Sequence, residues 1–370
     1  MADTKDLEKA AKLLSTYTSI KKEVVDCGIL GLNILWNGGL SLGGCYGLGS
    51  QQGAGKSTIC LTICRHLIEA YNYTTVYIDV EQGISDKQLE SLGLLKYKGN
   101  KLLLIQNAIT FDDLQEVCDS CITLAETQNI KLIVVDSLNQ ISTKSLSQQN
   151  LEDRKIAPYA KPMSEWIRNF KGRFGVAGIA SILLGQAGAN IGAGMWDPQW
   201  YVKLPYAVQH GVDIMTYIEH SPFKKDQIYQ TINTPNGPAE VSIGYWGKIW
   251  TAKNRDALQE VKIRIPVIMG KGIDNVLFLR ECLINTGEVS KRGETYKLVF
   301  KKDEKTFVGQ DELDLFISSN YHYFVDYLKD KKYFDLRNDV ALKSDAVKSV
   351  STSSKADKPK EKKRISIMDL

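Results

Sequence analysis

Apolar residues along this chain alternate between two rhythms. Cys45 to Leu48, Thr75 to Val80, Leu102 to Gln106, Leu132 to Asp136 and Ala180 to Leu184 are compact apolar runs of strand length. Ile59 to Ile68, Phe111 to Thr127 and Pro162 to Phe174 repeat apolar positions at helical spacing. Strand and helix in alternation predict an α/β fold, a mostly parallel sheet with helices on both faces. Ligands then bind at the carboxyl ends of the strands. After Lys262 the pattern changes to a strand at Ile263 to Ile268, a short helix near Asn275 to Ile284, a strand at Tyr296 to Lys301 and a helix from Asp311 to Lys331. That predicts a small appended α+β domain. At the front, Leu7, Ala10, Ala11 and Leu14 share a helical spacing, which predicts a separate arm. Beyond Lys348 the chain is polar and rich in lysine, the composition of a disordered tail. Ile365 to Leu370 turn apolar again and fit either a docking peptide or a terminus without a role.

Composition narrows the class. With 43% hydrophobic and 24% charged residues, 370 residues can bury a sizeable core in more than one domain. No stretch approaches the ~20 apolar residues of a membrane span, and Met1 to Leu14 mixes acidic with basic residues, unlike a signal peptide. A cytoplasmic protein with no membrane partner is expected, its seven cysteines reduced. Cys118 and Cys121 have a metal-like separation, but Leu114, Val117, Cys121 and Leu124 at helical spacing predict a buried helix face there. Residues 331 to 370 hold 11 basic against 6 acidic residues, and the remainder 36 against 37. The body is nearly neutral, so a nucleic-acid partner has to be read from local patches.

The chemistry begins at Ser50-Gln51-Gln52-Gly53-Ala54-Gly55-Lys56-Ser57-Thr58, between a strand and a helix. Gly53 and Gly55 let the backbone curl so that successive N–H groups face phosphate oxygens at the positive end of the helix. Lys56 reaches the β and γ phosphates and the Ser57 hydroxyl ligates Mg²⁺, so a nucleoside triphosphate with Mg²⁺ is expected. The pattern departs at Ser50, where the phosphate-loop motif carries glycine. Three more strands end in polar residues. Asp136 closes Ile133-Val-Val-Asp and suits coordination of Mg²⁺, directly or through water. Glu81 closes Tyr77-Ile-Asp-Val-Glu and can orient and deprotonate an attacking water. Gln186, after Ile182-Leu-Leu-Gly, is an amide donor able to sense a γ-phosphate.

These segments, at these spacings, resemble the RecA family of recombinases, from about Val24 to Leu328. Ile29 to Leu40 is similar to the family's approach to its nucleotide loop, and Met269-Gly-Lys-Gly-Ile-Asp to the lead-in of the bacterial-type C-terminal domain, which favours the RecA and UvsX branch. The resemblance implies an oligomerisation arm at 1–33, a RecA-like ATPase core at 34–268, a small α+β domain at 269–335 and a basic tail at 336–370. It further implies that ATP sits between protomers of a helical filament, with Lys253 and Arg255 reaching the neighbour's phosphates in trans. Segments at about 143–159 and 187–210 resemble the family's DNA-binding loops. Ile156 and Ile191 then sit at wedge positions between bases and Lys161 at a backbone-phosphate contact. Trp196, Trp200, Tyr201 and Tyr206 fit either stacking on bases or packing within the protein.

By function, the resemblance implies an ATP-dependent recombinase that filaments on single-stranded DNA and pairs it with homologous duplex. Its setting would be the bacterial or phage-infected cytoplasm, with single-strand-binding and mediator proteins as further partners. γ-Phosphate held by Gln186 would order the second loop, coupling ATP to DNA binding. Some departures cut against this: the second loop lacks an expected glycine pair near Lys203 to Pro205, Gln88 stands where an aromatic ring stacks on adenine, and the tail is basic. A regulatory paralogue without strand exchange and a hexameric helicase on the same core are the competing readings. Only a short arm precedes the core here, where a helicase carries a primase-binding domain.

Overall fold

The computed structural model describes residues 22–142, 160–189, 200–202, 204–220, 223–234, 237–255, 261–300 and 303–331. The predicted arm helix, the whole 143–159 loop with Ile156, most of the second loop with Ile191, and the tail from 336 lie outside them.

The chain runs β1 (Val24–Val25), α1 (Leu30–Leu35), β2 (Leu40–Ser41), β3 (Cys45–Ser50), α2 (Lys56–Tyr71), β4 (Thr74–Asp79) and α3 (Asp86–Ser91). It continues through β5 (Leu102–Ile105), α4 (Phe111–Thr123), β6 (Ile130–Asp136), α5 (Ala160–Ala177), β7 (Ala180–Ala189), β8 (Trp200–Val202), α6 (Tyr206–Gly211) and β9 (Ile214–His220). Then come β10 (Gln227–Thr234), β11 (Gly237–Asn254), β12 (Lys262–Ile268), β13 (Gly272–Ile273) and α7 (Asn275–Asn285). The last elements are β14 (Val289–Arg292), β15 (Thr295–Phe300), β16 (Asp303–Val308), α8 (Gln310–Ser319) and α9 (Tyr321–Asp330).

The central sheet has the order β13-β12-β11-β9-β3-β7-β6-β4-β5, with β10 added to β11 and β8 to β7. From β9 to β5 every pair is parallel. The apolar runs are continuous because both faces are covered, and side chains alternate between them. Val76, Ile78, Ile133, Val135 and Leu183 join one cluster with α4 and α5. Tyr77, Leu132, Val134, Ile182 and Leu184 join the other with α2. Helix α4 starts cleanly because Thr110 and Asp113 form a reciprocal capping box. Its inner face buries Leu114, Cys118 and Cys121, and burial pushes the Cys121 thiol up to about 12, which suits an inert packing residue.

Two regions differ from the sequence reading. The parallel sheet stops at β9, and β11, β12 and β13 continue it antiparallel. In β11, Tyr245, Gly247, Ile249 and Thr251 are buried while Trp246, Lys248 and Trp250 face outward in part. A sheet covered on one face has no solid apolar run to mark it. The helix predicted from 311 to 331 is two helices. Asn320, at φ −120°, leaves helical geometry and its side-chain amide donates to the Phe316 carbonyl at 2.9 Å. The strand predicted at 296–301 is the middle of the β14-β15-β16 sheet. Its neighbours are largely exposed and polar, which hid them. Phe278 and Leu283 of α7, Leu298, Phe300 and Phe324 share one hydrophobic cluster with Ile29, Leu48 and Ile265, so the C-terminal elements pack on the main core. No described helix is long and apolar enough to cross a membrane.

Candidate nucleotide site

Sheet order and register bring the predicted site together. Strands β3, β7, β6 and β4 are neighbours, and Ser50 is in register with Gln186 and Asp79 with Asp136. Ser50 and Gln186 therefore lie level, as do Asp79 and Asp136, and across β6 and β7 Asp136 falls two residues short of Gln186, with ~4.8 Å between neighbouring strands.

Between β3 and α2 the chain turns through two left-handed glycines, Gly53 at φ +75° and Gly55 at φ +81°. A Cβ on Gly55 would lie 2.6 Å from the Tyr245 hydroxyl, so neither the backbone nor the space admits a side chain there. Gly55 is the N-cap of α2 and no side chain caps its first N–H groups. Those donors, at the positive helix end, point the way an anion would approach. Ser50 ends β3, in backbone that makes no demand for glycine, and it is buried. Its hydroxyl accepts from Lys56 Nζ at 2.9 Å, while the Ser50 and Gln51 carbonyls lie at 3.4 and 3.3 Å. The departure from the motif thus supplies Lys56 with a side-chain acceptor. Burial lowers the Lys56 pKa, opposed by the carboxylates of Asp136 and Glu81.

Ser57 donates to Asp136 Oδ2 at 2.6 Å, and the buried Tyr77 hydroxyl donates to the same oxygen at 2.7 Å. Burial raises the Asp136 pKa, and these two bonds oppose it. A desolvated carboxylate joined to a hydroxyl is a hard-oxygen pair, which fits Mg²⁺. Among the described residues no group of three or more His, Cys, Asp or Glu side chains could hold a metal. A small protein donor set suits an ion that keeps waters and phosphate oxygens as its other ligands.

Glu81 lies just past β4. Its Oε1 accepts from the Ser137 hydroxyl at 2.6 Å and from the Gln186 amide at 3.1 Å. Gln186 is itself fixed through its backbone N–H, which donates to Asn139 Oδ1 at 2.8 Å. Asp79, fully buried, shapes the turn that presents Glu81. It accepts from the backbone N–H groups of Gly83 (3.2 Å) and Ile84 (2.9 Å) and from the Gln106 amide (2.8 Å). Asp79→Ala leaves these buried donors without an acceptor, at a cost of ~2–3 kcal/mol. Thermal unfolding is expected to show that loss, and ATP turnover to fall at least roughly tenfold as Glu81 loses its placement.

Lys253 and Arg255 are elsewhere. Tyr46 pairs with Ile214, which pairs with Asn254, whereas Ser50 pairs with Ile218, which pairs with Ile249. The two cations thus sit at the opposite end of the sheet from their own phosphate loop, roughly 13 Å of strand away. Lys161 is exposed on the first turn of α5, 3.9 Å from Glu165. Tyr206 is exposed and rests on His210 at 3.8 Å between rings. Gln88 sits in the first turn of α3, its N–H donating to the capping Ser85 hydroxyl at 3.3 Å.

Sequence reasoning missed Tyr77, Asp79, Gln106, Ser137 and Asn139. Ser137 and Asn139 directly follow the Asp136 strand, a position that signals them. Gln106 ends β5 and carries no such signal until the sheet order is known.

The sequence profile of the RecA N-terminal domain matches residues 5–202. The chain is 22% identical over 307 residues to Protein RecA of Gloeothece citriformis, covering 83% of this chain and 80% of the relative. Against Protein RecA of Cereibacter sphaeroides identity is 23% over 310 residues, 84% and 83% of the two chains. Protein RecA of Mycoplasma mycoides subsp. mycoides is 25% identical over 310 residues, 80% and 84% of the two chains.

Proposed function

The chain belongs to the RecA family, and from that premise we propose that it is a DNA-dependent ATPase and homologous recombinase of the bacterial RecA and UvsX branch. It assembles as a helical filament on single-stranded DNA in the cytoplasm, pairs that strand with duplex and exchanges strands. The observation that carries the ATPase reading is the convergence of these groups: Ser57 bonds Asp136 at 2.6 Å, Glu81 bonds Ser137, the residue after Asp136, at 2.6 Å and Gln186 at 3.1 Å, and Lys56 is held on Ser50 at 2.9 Å.

In this reading the N–H groups of Gly53 to Ser57 hold the triphosphate, and Lys56 leaves Ser50 to neutralise the β and γ oxygens. Ser57 and Asp136 would hold Mg²⁺, which would supply positive charge against the phosphates. Glu81 takes the proton of the water that attacks the γ-phosphorus, through the oxygen that Ser137 and Gln186 leave without a donor among the described residues. Gln186 exchanges its bond to Glu81 for one to the γ-phosphate, and β7 passes the change to the second loop, where Ile191 contacts DNA. Ile156 and Lys161 contact it from the first. Lys253 and Arg255 complete the site of the adjacent protomer. Their position at the far end of their own sheet supports that assignment.

Lys253→Ala is expected to leave ATP binding by isolated protomers intact and to lower filament turnover roughly 10²-fold. Full turnover in that variant refutes the trans role. The whole reading is tested by ATP hydrolysis with and without single-stranded DNA, with electron microscopy of the same samples. Stimulated turnover on helical filaments supports it, and closed rings contradict it in favour of a helicase.

A further inference from the structure

Lys253 and Arg255 are held in place before any neighbour arrives. The Lys253 ammonium donates to the carbonyls of Gln209 (3.1 Å), His210 (2.7 Å) and Val212 (2.6 Å). These lie at the carboxyl end of α6, where carbonyls lack helical partners and the dipole favours a cation. An ammonium has three N–H donors, and all three are used. Burial lowers the Lys253 pKa, and the adjacent Arg255 lowers it further.

Arg255 donates to the His210 carbonyl at 3.3 Å and its guanidinium lies 3.4 Å from Asp213. Asp213 is the hub of the cluster. It bonds Lys171 at 2.6 Å, lies 3.5 Å from Lys22 and accepts from the Cys45 N–H at 3.0 Å. Burial pushes the Asp213 carboxyl up, but the bonds from Lys171 and Cys45 and the charges of Lys171 and Lys22 outweigh it and hold it below its ordinary value. Lys171 also donates to the Gly211 carbonyl. A 440 Å³ groove opens beside the cluster, lined by Lys22, Arg168, Lys171 and Arg255, so the cations face an accessible surface.

We infer that Asp213, Lys171 and the carboxyl end of α6 form a cradle that positions Lys253 and Arg255 for the neighbouring protomer's nucleotide. Asp213 and Lys171 are positioning residues, acting through the two cations. Two of the Lys253 acceptors, Gln209 and His210, belong to the 187–210 segment itself. The cradle rests on the trans reading of Lys253 and Arg255, and its test separates the two.

Asp213→Asn keeps the side-chain size and an acceptor for Cys45 but removes the charge that faces Lys171, Lys22 and Arg255. Turnover of DNA-bound filaments is expected to fall about tenfold through misplacement of the cations, with ATP binding by isolated protomers unchanged. The decisive experiment mixes Asp213→Asn with Glu81→Gln protein, equal amounts, on single-stranded DNA. One partner has an intact nucleotide site, the other intact cations. Random head-to-tail assembly joins the two at about one site in four, so turnover should rise to about a quarter of wild type, above either protein alone. Lys253→Ala mixed with Glu81→Gln serves as the parallel pair, and Lys171→Met replaces Asp213→Asn if thermal unfolding shows the latter unfolded. Complementation by both pairs supports the cradle. Complementation by the Lys253→Ala pair alone overturns the cradle and leaves the trans reading standing. Failure of both pairs overturns the trans reading and the cradle with it.

Discussion

Glu81→Gln is expected to lower ATP turnover on the order of 10³-fold while ATP binding and filament formation on DNA persist. Glutamine keeps the size of the side chain and an oxygen at Oε1. The bonds from the Ser137 hydroxyl and the Gln186 amide therefore survive. What is lost is the carboxylate oxygen that accepts a proton. An amide turned toward the water can only donate to it. In the proposed cycle release follows hydrolysis, so filaments made with ATP should stay on DNA long after wild-type filaments release it. Steady-state phosphate release and filament lifetime, measured together, check this. Wild-type turnover in Glu81→Gln would remove Glu81 from the role of base.

Lys56→Ala should abolish turnover, a loss on the order of 10³-fold or more, and weaken ATP binding with it. The Lys56 ammonium sits in a half-buried position among Ser50, Gln51, Asp136 and Glu81, where a charge is worth more than in water. Its removal leaves the β and γ oxygens facing Asp136 and Glu81 with less positive charge to balance them. The contrast with Glu81→Gln is the informative part. One variant binds ATP and cannot cut it, and the other fails at the earlier step. Equilibrium binding of a fluorescent ATP analogue separates them, and tight binding by Lys56→Ala would show that the helix N-terminus alone carries the triphosphate.

The parallel half of the fold was legible because strands buried on both faces leave apolar runs such as Ile133 to Val135, and because glycines at 53 and 55 and a lysine at 56 mark a phosphate-binding turn. Glu81, Asp136 and Gln186 were legible as polar ends of such runs. Apart from β12, the antiparallel half was not, because β11 alternates Trp246, Lys248 and Trp250 with buried residues and mimics a loop. Asn320 hid a break inside a helical pattern, since a single asparagine is tolerated in many helices. Asp79 was invisible as a structural residue. A carboxylate inside Tyr77-Ile-Asp-Val-Glu gives no sign that it will accept from Gly83, Ile84 and a glutamine on another strand. Likewise the Lys253-Asn-Arg255 segment read as a pair of reaching cations, and only the fold shows Lys253 bound to the end of α6.

These distinctions bear on the competing paralogue reading, which accepts nucleotide binding and denies strand exchange. The direct measurement is exchange between circular single-stranded DNA and homologous linear duplex, with ATP and Mg²⁺. The recombinase account predicts joint molecules and then nicked circles for the wild-type protein, and neither for Lys56→Ala. Helical filaments with DNA-stimulated ATP turnover but no joint molecules would contradict it.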